Sequence, residues 1–319
     1  MEWLRIYREA DIENPIMIAG WPGMGNVAMG AVGYLRDKLG AKDFAEIKPK
    51  GFFEPTGVSI EGSVAQMLQL PQNRFFYWKN RSSGNDIIIF LGEAQPSARV
   101  YLYASVILDL AERYRVKRLY TAAAAPASIH HRETPRVWAV ANNKKLVSYL
   151  KSFDVALMES GPISGMNGLL LGVAAERSIE GICLLGEIPY YTVGIPYPKS
   201  SQVVLEAMTQ MLGIQIDMTE LELLGQQTEQ EVERLVQTSE QMSKLFDRLA
   251  EQKGGVADID GEPRDTSSEI RLRQHIEVLF REAEGDKSKA IQLKDELDRL
   301  GLFEEYEDRF LDLFKRGDQ

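Results

Sequence analysis

The segment Ile16-Met-Ile-Ala-Gly-Trp-Pro-Gly-Met-Gly-Asn-Val-Ala28 joins a short apolar run to a glycine-rich turn and then to an amphipathic stretch. A chain that holds an anion needs this order. The first turn of a helix leaves N–H groups unpaired, its dipole is positive there, and glycine lets the backbone approach a phosphate closely. The spacing Gly23-x-Gly25-x-x-Ala28 fits the loose dinucleotide fingerprint. Two features depart from that pattern. Gly20-Trp21-Pro22 intervenes before the first fingerprint glycine, and no acid stands at the end of a strand about 20 residues on. Asp43 precedes the next strand candidate and Glu46 falls inside it. No nicotinamide or flavin cofactor is therefore expected.

A second junction, Gly161-Pro-Ile-Ser-Gly-Met-Asn-Gly-Leu-Leu-Leu171, repeats the chemistry of the first. Further loops follow other apolar runs at residues 92–96, 125–133 and 186–198, and they carry Glu93, Gln95, His130, Arg132, Glu133 and Glu187. In an open α/β sheet such loops gather on the rim formed by the carboxyl ends of the parallel strands, where ligands bind. The candidate ligand-binding set is Gly20, Gly23, Gly25, Asn26, Glu93, Gln95, Ser164, Gly165, Asn167 and Glu187. Two readings stand side by side. The rim is a pocket for a nucleotide or other anionic metabolite, or its glycines and prolines serve tight turns and close helix-to-sheet contact.

Conventional catalytic signatures are missing. There is no Gly-x-x-x-x-Gly-Lys-Ser/Thr and no Gly-x-Ser-x-Gly elbow, and no catalytic residue is assigned. His130 and His131 are adjacent, so in an extended segment they point to opposite sides, and His275 lies far along the chain. With one cysteine, Cys183, inside the apolar run 181–185, neither a disulfide nor a cysteine-based metal site is expected. A carboxylate pair such as Glu93 with Glu187 is conceivable for acid/base work, but the sequence does not bring the two together. Trp21 either lines a pocket or interface or plugs the edge of the core. Trp78 closes the aromatic run Phe75-Phe-Tyr-Trp78, which suggests a strand with one face against a neighbour.

The elements that must position these groups alternate in a βα rhythm. Runs at 16–19, 87–91, 119–123, 155–158 and 182–185 are short and apolar on both faces, as buried strands are. Amphipathic stretches at 27–39, 100–115, 144–153, 168–177 and 202–212 predict helices between them. Segments 58–60, 65–70 and 74–79 have no helix among them and predict antiparallel strands appended to the parallel core. The expected fold is a three-layer α/β/α domain with a mixed, mostly parallel sheet and a C-terminal helical extension.

From Met218 the pattern changes. Gly225, Val232, Ser239 and Phe246 recur every seven residues, as do Thr228, Leu235, Met242 and Leu249, which predicts a long helix over 218–253 whose stripe must be covered by the body or by another subunit. Residues 254–268 are rich in Gly, Asp and Ser and predict a linker. Residues 269–319 predict three short amphipathic helices, the last with an aromatic stripe suited to a core of their own or to a partner. The expected division is thus 1–253, 254–268 and 269–319.

Composition bounds the rest. Of 319 residues, 44% are hydrophobic and 26% charged, which excludes global disorder, a collagen and a disulfide-stapled miniprotein. From Ile214 onward there are 27 acids against 15 bases, so that region repels nucleic acids and anionic membrane surfaces. No apolar run is long enough to cross a bilayer, and the first ten residues are charged throughout, unlike a signal peptide. The expected compartment is the cytoplasm.

Four motifs carry a resemblance: Gly20-Trp-Pro-Gly-Met-Gly-Asn-Val-Ala28, Gly92-Glu-Ala-Gln-Pro96, Ile163-Ser-Gly-Met-Asn-Gly-Leu-Leu-Leu-Gly172, and Glu187-Ile-Pro-Tyr190 followed by Tyr197-Pro198. In this order, over about residues 10–250, the chain resembles the proteasome assembly chaperone family. The resemblance implies a three-layer fold like that of nucleoside phosphorylases, self-association into a homo-oligomer, protein partners and no established catalytic activity. Members that dock on the proteasome end in a hydrophobic-Tyr-x tail. This chain ends Lys315-Arg-Gly-Asp-Gln319, so docking by that route is not expected, and the acidic extension after Gly254 resembles that of bacterial members.

Overall fold

In the computed structural model, the strands with the longest unbroken apolar runs lie at the centre of the sheet. The structure describes residues 2–82 and 84–253, with 279, 280, 289, 293, 294, 296, 297 and 306 beyond them. The chain forms two units, Met1–Leu235 and Val236–Gln319. The elements in order are β1 (Leu4–Ile6), β2 (Ile16–Gly20), α1 (Val27–Leu39), β3 (Lys42–Ile47), β4 (Val58–Glu61), β5 (Val64–Met67), β6 (Asn73–Trp78), β7 (Ile87–Gly92), α2 (Val100–Arg113), β8 (Arg118–Ala127), β9 (Val137–Ala141), α3 (Lys144–Leu150), β10 (Ala156–Leu157), α4 (Gly165–Glu176), β11 (Glu180–Pro189), α5 (Pro198–Leu212) and α6 (Thr219–Lys253).

One nine-stranded sheet has the order β1-β3-β6-β7-β2-β8-β11-β9-β10. Its centre, β7-β2-β8-β11, is parallel; β6 joins antiparallel on one flank and β9 on the other. Alternate residues of the central strands face opposite layers. Ile18, Ile87, Ile89, Tyr120, Ile182 and Leu184 meet α1, α3, α5 and the first turn of α6, whereas Met17, Ala19, Ile88, Phe90 and Leu119 meet α2 and α4. This is the three-layer mixed arrangement. The helices predicted at 27–39, 100–115, 144–153, 168–177 and 202–212 occur in it, as do the buried strands at 16–19, 87–91, 119–123 and 182–185, whereas the strand predicted at 155–158 is the two-residue, half-buried edge strand β10.

Local signals explain where the helices stop and start. Gly40 and Gly213 end α1 and α5 in the left-handed region, at φ 59° and 66°, where a side chain would be strained. Asn143 caps α3 by accepting the Leu146 N–H at 3.0 Å. Helix α5 lies unusually close to its neighbours: a Cβ on Gly30 of α1 would collide with the Ser201 hydroxyl, and one on Gly186 of β11 would stand 2.9 Å from Val204 and 3.0 Å from the Ser200 carbonyl oxygen.

Two expectations need correction. Segment 74–79 does join the sheet as β6, but among the described residues β4 and β5 pair only with each other, as a separate hairpin turned by Gly62 and Ser63, both at positive φ. The sequence reading also missed β9, a five-residue strand inserted between β11 and β10. In α6, Gly225 and Val232 of the first stripe are buried within the first unit, while the second stripe passes from half-buried Thr228 to exposed Leu235. The expected linker at 254–268 and most of 269–319 lie outside the described residues. In the second unit Phe280, Leu293 and Leu297 are buried, and the rings of Phe280 and Tyr306 lie 5.8 Å apart. Among the described residues no helix is long and apolar enough to cross a membrane.

Cys183 is fully buried on β11 beside Leu171 and Leu185. Burial pushes its thiol up to about 11, only partly offset by the Thr121 hydroxyl. At pH 8 roughly one native thiol in a thousand is then ionised. Ellman's reagent should react with the folded protein only as fast as the chain opens, and at once in denaturant; prompt stoichiometric reaction of native protein would contradict the burial. The same shift links to stability. The unfolded thiol ionises near 9.0, before the folded one, so this contribution to stability is intact below pH 9 and fades as pH rises toward 11.

Candidate functional site

The loops leaving β2, β7, β8 and β11 do gather on one rim, and the N-terminus of α4 reaches it as well. In the β2–α1 turn Gly25 and Asn26 adopt φ 58° and 50°, a left-handed pair that glycine and asparagine tolerate best. Both polar groups of the Gly25 backbone are taken: its N–H donates to the Val193 carbonyl at 3.0 Å, and its carbonyl accepts the Tyr197 N–H at 2.7 Å. Asn26 N–H donates to the Gly23 carbonyl at 2.9 Å. Gly20 allows β2 to approach α1, since a Cβ there would lie 3.2 Å from Val32. Gly23 is in extended backbone with open space around it.

Gln95 spans two of the motifs. Its Nε2 donates to the Pro22 carbonyl at 2.9 Å and its Oε1 accepts the Met166 N–H at 3.0 Å, so a side-chain amide occupies the α4 N-terminus. Gly165, at φ 75°, opens α4 beneath it, and Ser164 stands exposed at the cap position without capping. Asn167 is buried; its backbone oxygen accepts the Thr121 hydroxyl at 3.0 Å, while its Oδ1 has no partner among the described residues.

The two carboxylates of the conceivable acid/base pair are not neighbours. Glu93 accepts the Gln72 N–H at 2.8 Å just past β7, whereas Glu187 is on β11, three strands along the sheet. Glu187 is buried and accepts from the Trp138 indole at 2.9 Å and from the Arg136 N–H at 3.1 Å. Trp21 is fully buried against Phe90 and Tyr103, at ring separations of 5.2 and 6.5 Å, and is thus core.

A polar cluster that the sequence did not suggest lies beside the rim. His131 is buried and stacks on His130 with ring centres 4.1 Å apart, because the segment turns rather than extends; the expected opposite orientation is corrected accordingly. Tyr191 Oη lies 3.0 Å from His131 Nδ1, and Glu233 of α6 lies 2.8 Å from Nε2. Arg132 also meets Glu233, at 2.9 Å, and Lys199 meets Glu229 at 2.8 Å while donating to the carbonyls of His131 and Arg132. Burial pushes the Tyr197 phenol well above its usual range, with Tyr191 and Glu229 adding to the shift, so it stays protonated and donates to the His131 carbonyl. No local signal announces this cluster, since His131 and Glu233 are 102 positions apart. Across the rim, then, most polar groups are spent on joining one loop to another.

Comparison with known proteins places this geometry. A model described as the PAC2 family matches residues 17–236. The uncharacterized protein MJ1210 of Methanocaldococcus jannaschii is 28% identical over 73% of this chain and 87% of its own. The crystal structure of Pyrococcus furiosus PbaB, an archaeal proteasome activator, is 32% identical, covers 74% of this chain and 99% of its own, and superposes with a TM-score of 0.64. P. furiosus PbaA, an archaeal homolog of proteasome-assembly chaperone, shares the fold at 23% identity and a TM-score of 0.57, covering 75% of this chain and 99% of its own.

Proposed function

The chain belongs to the PAC2 family, and from that premise we propose that it is a non-enzymatic, homo-oligomeric scaffold with an assembly-chaperone-like role toward other proteins. PbaB is an archaeal proteasome activator and PbaA an archaeal homolog of proteasome-assembly chaperone. By extension the partners here are proteins, met in the cytoplasm, with no cofactor involved. The first unit, which holds the α/β sheet, then provides the self-associating part, and residues 269–319 contact other proteins. The glycine-rich rim supports this reading because its polar groups tie loops together, with Gly25 and Gln95 as connectors.

One observation carries the self-association. In the β4–β5 hairpin the cross-strand pairs Val58–Met67 and Ile60–Ala65 fall on one face, which is entirely apolar and open to solvent, with Ile60 74% exposed. A two-stranded hairpin is marginal in water by itself and needs further strands or a covering surface. A second copy supplies both. Light scattering after size exclusion at tens of micromolar should show one species of several protomers. Ile60→Lys combined with Met67→Lys should convert it to monomer with an unchanged circular dichroism spectrum; a wild-type protein that is only monomeric would overturn the reading.

A further inference from the structure

We propose that a cavity headed by Glu187 binds a protonated amine or a guanidinium group. The two buried carboxylates of the described chain differ in one respect. Asp86 has Lys79 at 3.3 Å, whereas Glu187, 6% exposed, receives only the neutral donors Trp138 Nε1–H and Arg136 N–H and forms no ion pair with any described residue. A carboxylate oxygen can accept two hydrogen bonds, so each oxygen keeps capacity for a further donor. Burying such a group without a countercharge is unfavourable, and a cation that reaches it removes the penalty.

The structure leaves room for that cation. Glu187 lines a cavity of about 530 Å³. Along the neighbouring strand β8, its cross-strand partner Ala125 and the next same-face residue Ala127 carry only methyl groups and are half-buried. Glu133 adds a second carboxylate to the lining and Ser128 and Thr134 add hydroxyl acceptors, against one cation, the exposed Arg136. Two carboxylates against one guanidinium leave the lining net negative, which favours a cationic guest over an anionic one. A metal ion fits less well, because an indole and an amide N–H already direct the Glu187 oxygens and no described group of three or more His, Cys, Asp or Glu side chains is placed to hold one. The charge comes either from a free small molecule or from a lysine or arginine side chain of another protein. The site stands apart from the self-association above, which involves the hairpin.

Because Trp138 donates to Glu187, its indole reports on the site. Full-length protein labelled with fluorotryptophan gives four resonances, one per tryptophan, and fluorine NMR follows the one from Trp138 during titration with L-argininamide, spermidine and, as a control, acetate. The cations should shift it saturably with millimolar affinity, and acetate should leave it unmoved. Binding should weaken at least about tenfold in Glu187→Gln. Should that variant fail to fold, Ala127→Leu fills the space beside the carboxylate and should abolish binding by itself. An arginine-rich peptide that binds more tightly than argininamide supports a side chain of another protein as the source. Equal affinity of the two supports a free small molecule. Absence of a saturable shift up to about 50 mM, or the same affinity in both variants, overturns the proposal. So does a wild-type protein blind to the added cations whose Trp138 resonance moves on Arg136→Gln, because Arg136 is then itself the countercharge.

Discussion

Gly168→Ala should lower the melting temperature by roughly 6–12 °C, from about 3 kcal/mol of overpacking in a unit of this size. Gly168 is an interior residue of α4, where alanine would ordinarily be favoured. A Cβ there, however, would stand 2.7 Å from the Ile163 carbonyl carbon and 2.9 Å from the Ile163 Cβ, and nearer still to the carbonyl oxygen. The obstacle is backbone, and it cannot swing aside. Gly165 holds the preceding turn at positive φ and Gln95 pins the Met166 N–H. Gly172, one turn further along the same helix, meets nothing within 4 Å. Gly172→Ala should therefore stabilise the protein by about 0.5–1 kcal/mol, the usual gain from removing a helical glycine. Thermal denaturation of the two variants side by side separates close approach from helix propensity, and equal effects would refute the argument.

Trp21→Ala should cost about 3–5 kcal/mol in chemical denaturation, the range for truncating a large buried aromatic. The indole is fully buried, packs on Phe90 and Tyr103, and lies so near Gly92 that a Cβ there would come within 2.5 Å of its Nε1. Its loss opens a cavity where the first motif meets α2, and the surrounding aromatic rings can collapse into it only in part. If Trp21 instead lined an interface, the variant would keep its denaturation midpoint as isolated protomer and lose assembly. The two outcomes are separable by measuring stability and mass on the same sample.

The parts of this fold that were legible are those where one physical signal dominates. Ile87 to Leu91 is apolar at every position, so the strand is central whatever its neighbours are, and Gly40 ends α1 by a rule that needs no tertiary information. Strand β9 is not legible, because its five residues pair antiparallel with β11 and parallel with β10, and both partners lie far along the chain. The hairpin was read correctly as two strands but misplaced, since alternation within a strand does not say which sheet receives it. For the rim, spacing identified the loops that meet and the glycines that turn them. It could not show that Gln95 reaches from Pro22 to Met166, that Glu93 and Glu187 stand apart, or that Glu233 closes on His131, because each is a pairing across the fold.

The close seating of α5 against Gly30 and Gly186 also bears on how the chain comes to be made. The layer that includes α1 is complete only when α5 arrives, and α5 is among the last elements of the first unit to leave a ribosome. Until then β2 and α1, synthesised at the start, wait with one face uncovered, and β8 waits for β11. Pairings so distant in the chain are slow to form and leave sticky surface exposed meanwhile. Nascent chains that stop short of Leu212 should thus be clients of the cell's folding factors.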